Sequence, residues 1–182
     1  MTAILTDIAA TALWQDLVRE AESSGAAPLD EELEAYLVFV LMRHLRDEAL
    51  GRQVLALDYL AGLAERGRER GDALRAVGDR CLLIAGLYPE QAQRRLVTLD
   101  YFMALGRNAY AEVACAARSA MADLYERLAA GFARLVRVLV ALRRLGGGEP
   151  LDAFGRYALG RADPGQDFAG AVLLAPAGGV AH

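Results

Sequence analysis

The chain has 182 residues, and all 20 of its basic side chains are arginine, so chemistry that needs a lysine, such as a Schiff base or a phosphate-loop lysine, is excluded. Its length is that of one domain, and 55% hydrophobic residues exceed the usual share, so the surplus must be buried in a core, an oligomer interface or a membrane surface. The net charge of −4 is unlike the basic balance of general nucleic-acid binders, so nucleic acid is not an expected partner.

The charge is unevenly spread. Residues 1–50 carry ten acids against Arg19, Arg43 and Arg46, a balance of −7, whereas residues 101–150 carry seven arginines against four acids, a balance of +3. No run reaches the ~20 apolar residues of a membrane span, and residues 1–7 lack the basic start of a leader, so the expected location is the cytoplasm. Cys81 and Cys115 sit in apolar helical contexts without metal-ligand spacing and read as reduced thiols.

Apolar residues recur every three to four positions, and no strand-type alternation or hairpin signal is present, so the expected fold is all-α. A first helix is expected over 4–23, ending before Gly25. Asp30 then caps a second helix, with Glu31, Glu32 and Glu34 at its positive end. Leu33, Leu37, Val40, Leu41 and His44 share one face, and the helix runs to about Arg46. A third helix is expected over 53–68, with Leu57, Leu60 and Leu63 or Ala64 on its buried side and Gly67 and Gly71 flanking its end. The fourth runs from near Asp72 to Ala85 and is stopped by Gly86 and Pro89.

The fifth helix begins after Pro89 and carries Leu96, Leu99, Met103, Gly106 and Tyr110 on one face. A break near 117–119 separates it from a sixth, or the two are continuous. The sixth steps through Met121, Leu124, Leu128, Phe132, Leu135, Leu139 and Leu142 and ends at Gly146-Gly147-Gly148. Val136, Val138 and Val140 extend its apolar surface, which fits a central or a shared helix. A short helix at 151–159 and an unstructured tail from 165 complete the chain. The expectation is a single compact bundle of about six helices over residues 1–164, followed by the tail 165–182.

One block stands apart. Gly78 and Gly106 lie inside helices, where glycine costs about 1 kcal/mol relative to alanine, so each implies a close helix approach. The segments GDRCLLIAGLYPE (78–90) and LDYFMALGRNAY (99–110) resemble a pattern of bacterial all-helical proteins of uncharacterised function. The resemblance covers only residues 78–110. It implies that this helical pair is the core of the fold, and it implies no activity.

The candidate ligand-binding residues are Asp79, Asp100, Arg107 and Tyr110. The two acids lie on neighbouring helices close to Arg75, Arg80 and Arg107, and such a cluster either binds a polar ligand or fixes helix packing. The candidate partner-binding residues are Arg127, Arg134, Arg137 and Arg144, which fall within about 100° of one helix at 3.6 residues per turn.

No catalytic residues are assigned. The three serines, Ser23, Ser24 and Ser119, lie in no nucleophile motif, and no dinucleotide or phosphate loop is present. No metal site or cofactor is expected either, since the only histidines are His44 and His182 and His44 with Glu48 is an isolated pair.

The expectation is therefore a non-catalytic cytoplasmic adaptor or regulatory protein acting through helix-mediated protein association, including self-association. The alternatives are a small-molecule-binding protein or enzyme with a polar pocket near Asp79, Asp100, Arg107 and Tyr110, and peripheral membrane attachment.

Overall fold

The computed structural model describes residues 2–25, 28–44, 54–94, 97–118 and 120–146. Among them are eight helices and no strand: α1 (Thr2–Ser23), α2 (Glu31–His44), α3 (Leu55–Ala64), α4 (Gly67–Leu87), α5 (Pro89–Arg94), α6 (Leu99–Ala116), α7 (Ala120–Ala130) and α8 (Phe132–Leu145). The described residues form a single all-α bundle. The short helix expected over 151–159 and the tail from 165 lie outside the described residues.

The first two helices follow their sequence signals. α1 stops beside Gly25, whose φ of +113° suits a residue without a Cβ. Asp30 caps α2, its Oδ1 accepting the Leu33 N–H at 3.0 Å. Leu33, Leu37, Val40, Leu41 and His44 are all buried. Arg19 of α1 bonds Glu34 of α2 at 3.0 Å and ties the two helices together.

α3 presents the face opposite to the one its leucines suggest. Leu57 and Leu60 are 62% and 60% exposed, and the buried positions are Leu55 and Gly62. Gly62 explains the orientation. A Cβ there would lie 3.2 Å from Leu74 Cδ2 and 3.3 Å from Ala73 Cβ, so the residue without a side chain faces α4 at close range. Gly67 does not trail α3 but opens α4. Its φ of +56° turns the chain after a two-residue connection, and Gly71 lies within α4.

α4 is the central element, touching α3, α5, α6 and α8, and its most extensive interface is with α6. Glycines permit this proximity. A Cβ on Gly106 would come within 2.7 Å of Cys81 Cβ and would strike Phe132, while one on Gly86 would strike Leu139. The helical pair singled out in the sequence is thus the centre of the bundle.

The two long helices expected after Pro89 are each divided. α5 ends at Arg94, and Thr98 starts α6 by accepting the Tyr101 N–H on its hydroxyl at 3.3 Å. The sixth expected helix breaks at Gly131. There a Cβ would sit 3.0 Å from the Arg127 carbonyl oxygen and 3.3 Å from Leu33 Cδ1, so α2 crowds the backbone at the corner. Beyond it, Val136 and Val138 are buried within the bundle, so the packing of this chain itself takes up these apolar positions of α8. No described helix is long and apolar enough to cross a membrane.

Candidate functional site

Asp79 lies midway along α4, on the side that buries Leu74, Val77 and Leu82, and is itself 0% exposed. A carboxyl group so placed needs hydrogen bonds to offset lost hydration. Two come from distant tyrosines. Tyr36 of α2 donates its hydroxyl to Asp79 Oδ1 at 2.7 Å, and Tyr110 of α6 donates to the same oxygen at 2.8 Å. Asp79 Oδ2 has no hydrogen-bond partner among the described residues, and His44 Nε2 is 3.9 Å away.

The aromatic rings pack around this centre. Tyr36 meets Tyr110 and Tyr125 edge to face, each at 5.9 Å between centroids, and Tyr110 also touches Phe132. Gly78 makes the arrangement possible, because a Cβ at that position would overlap the Tyr110 ring. Burial, and then the charge of Asp79, raise the Tyr36 and Tyr110 hydroxyl pKa values well above the ordinary tyrosine range, so both remain donors. Burial raises Tyr125 as well, against the lowering effect of its Tyr36 hydrogen bond and of Arg75. The group joins α2, α4, α6 and α7 through hydrogen bonds that admit few alternative packings.

The expected ligand site is therefore not one site. Asp79 and Tyr110 meet in the buried centre, whereas Asp100 and Arg107 are exposed and flank a separate surface cleft. The companion arginines divide, Arg75 staying beside Tyr125 of the buried group and the other two lying apart from it. Arg75 reaches Asp72 at 3.4 Å, Arg80 reaches Asp58 on α3 at 3.8 Å, and Arg107 makes no ion pair among the described residues. Helical spacing placed Asp100 and Arg107 on one side of α6, and they do share it. It gave no information on depth, and α6 turns that side outward.

The cleft lies between the first half of α6 and the corner where α7 meets α8. It holds about 180 Å³, and its lining includes Met103, Ala104, Ala129, Ala130, Phe132 and Ala133 beside Asp100 and Arg107. Among the described residues, no group of three or more His, Cys, Asp or Glu side chains could hold a metal ion.

The arginine stripe is split by the break at Gly131. Arg127 on α7 turns toward the start of α2, where it pairs with Asp30 at 3.6 Å and with Glu32. Arg134, Arg137 and Arg144 on α8 are exposed and make no ion pair among the described residues. Arg143, on another side, pairs with Glu90 at 3.3 Å. Arg127 is thus an internal clamp on α2, and the free basic face consists of the other three.

Sequence reading missed Tyr36 and Tyr125, and it placed His44 on the buried face of α2 without its nearness to Asp79. Each lies on an apolar helical face, and a phenol tip within such a face was the one available signal that a buried acceptor lay opposite. No protein-family model matches this chain, and comparison with curated proteins and with solved structures gave no significant match.

Proposed function

We propose that this is a non-catalytic protein that works by helix-mediated association, with the outer face of α8 as its docking surface. The carrying observation is the charge of α8. Its 14 residues include four arginines and no acid, and three of those arginines face solvent without a partner among the described residues. Guanidinium groups left unpaired are suited to bidentate recognition of carboxylates. The buried Asp79 group supports the same reading from the other side, since a carboxyl closed in by aromatic rings serves architecture better than turnover.

Association with a second copy draws support from α3, where Val54, Leu57 and Leu60 are each 60% exposed or more. Apolar side chains grouped on one helix face are a common feature of interaction surfaces. The likeness of residues 78–110 to bacterial helical proteins is compatible with this reading and adds no activity to it.

The test compares proteins captured from the source cell by the parent chain and by Arg134→Glu/Arg137→Glu. Captured species should be lost from the double variant and should fall with added salt, as screened attraction requires. An identical set on both baits would count against the basic face.

A further inference from the structure

We infer that the cleft beside α6 and the arginine face of α8 form one composite groove that receives an acidic amphipathic helix of a partner protein, with one apolar side chain of that helix seated in the cleft. This rests on the association reading above and names its partner.

Size decides the first point. The cleft holds about 180 Å³. Pockets for drug-sized molecules hold roughly 300–1,000 Å³, so this one suits a single side chain. Its floor of methionine, phenylalanine and alanine side chains calls for an apolar one.

Geometry joins the cleft to the arginines. Ala133 both lines the cleft and lies on the outer face of α8. At 3.6 residues per turn, Arg137 is about 40° around the helix from Ala133 and Arg144 about 20°. The two arginines therefore continue the line that starts at the cleft, over a rise of about 16 Å from Ala133 to Arg144. Arg107 stands on the opposite bank. A helix of about three turns laid along this line brings acidic residues to Arg137 and Arg144 while an apolar residue enters the cleft, the anchor pattern of helix-in-groove recognition.

Charge and surface chemistry narrow the partner to protein. The exposed α8 positions are Ala133, Arg134, Arg137 and Arg144, without the large apolar side chains that bury a basic helix in a bilayer. Nucleic acid supplies phosphates but no aliphatic side chain to fill the cleft.

The experiment selects helical peptides from a randomised display library on the full-length chain and measures each recovered peptide by fluorescence anisotropy. The variants are Arg137→Glu, Ala104→Trp and Ala133→Leu, with circular dichroism as the folding check. Ala104→Trp fills the cleft, and Ala133→Leu serves the same end if the tryptophan disturbs the fold. Recovered peptides should be acidic with one large apolar anchor. Their Kd should rise about tenfold or more on Arg137→Glu and on filling the cleft, a change of about 1.4 kcal/mol for each factor of ten. Loss on Arg137→Glu with no effect of filling the cleft would overturn the composite groove while leaving the basic docking face in place. Recovery of no peptide that depends on Arg137 would overturn both. Binding of poly(U) RNA or of phosphatidylserine vesicles that displaces the peptides and depends on Arg137 to the same degree would reassign the face to phosphates.

Discussion

Replacing Asp79 tests the buried centre most directly. The Tyr36 and Tyr110 hydroxyls both donate to Asp79 Oδ1, at 2.7 and 2.8 Å, from wholly or nearly buried positions. Asp79→Leu removes that acceptor and strands two phenols away from water. An unsatisfied buried polar group costs about 1–3 kcal/mol, so the pair costs about 2–6 kcal/mol. In a chain of this size, each kcal/mol lowers the thermal midpoint by about 2–4 °C, which gives a fall of roughly 4–24 °C.

Asp79→Asn keeps a carbonyl oxygen in place of Oδ1. It exchanges two charge-assisted bonds for neutral ones at about 1 kcal/mol each, and relief of the buried charge offsets part of that. Its loss should stay under about 2 kcal/mol. The triple variant Asp79→Leu/Tyr36→Phe/Tyr110→Phe removes both donors with their acceptor, leaves Tyr125 with Arg75 in place of Tyr36, and should recover part of the stability that Asp79→Leu loses. Thermal and urea unfolding followed by circular dichroism measure all three. If Asp79→Leu is as stable as Asp79→Asn, or the triple variant is the least stable, the phenols do not depend on Asp79 and the reasoning fails.

Other outcomes follow from the same geometry. The raised Tyr36 and Tyr110 pKa values mean that above pH 10 the unfolded chain releases phenolic protons that the folded chain keeps, so stability is intact below pH 10 and falls above it; ultraviolet absorbance at alkaline pH should show these two tyrosines ionising only with unfolding. Gly86→Ala should lower stability by about 1–3 kcal/mol through overlap with Leu139, despite the better helix propensity of alanine, as a denaturant midpoint would show. Arg134→Glu/Arg137→Glu should leave the melt nearly unchanged, whereas Arg127→Glu, facing Asp30 and Glu32, should cost on the order of 1 kcal/mol. Leu57→Ser/Leu60→Ser should reduce any concentration-dependent association seen by light scattering without lowering the melting temperature.

The all-α architecture was legible because local signals govern it: the Asp30 cap, the Gly25 stop and Pro89 just past the end of α4 act within a few residues of chain, although Gly86, expected to end that helix, lies inside it against Leu139. The errors arose where a long-range contact overrode local periodicity. α3 has leucines on two faces, and the buried face was chosen by Gly62 meeting Leu74. The apolar pattern from Met121 to Leu142 runs unbroken through Gly131, where the helix breaks beside Leu33. Thr98 was a readable cap, masked by apolar spacing that ran through it. Of the four candidate ligand-binding residues, Asp79 and Tyr110 do meet. Glycine at 78 and tyrosine at 110 pointed to a tight helix pair around Asp79. Tyr36, 43 positions away, has no spacing relation to Asp79 that a sequence can display.

Three of the interior glycines also bear on how this chain can diverge. Gly78 and Gly86 each leave a hollow occupied by one large neighbour, Tyr110 and Leu139, and the hollow at Gly106 is filled by Phe132 and Cys81 together. A residue larger than glycine at these sites calls for smaller neighbours in the same lineage, so these positions drift as coupled sets rather than singly. Distant homologues that have lost the surface pattern, and even the buried tyrosines, would still carry the small-against-large pairing in one orientation or the other. That pairing gives a criterion for recognising them which depends on volume rather than on residue identity.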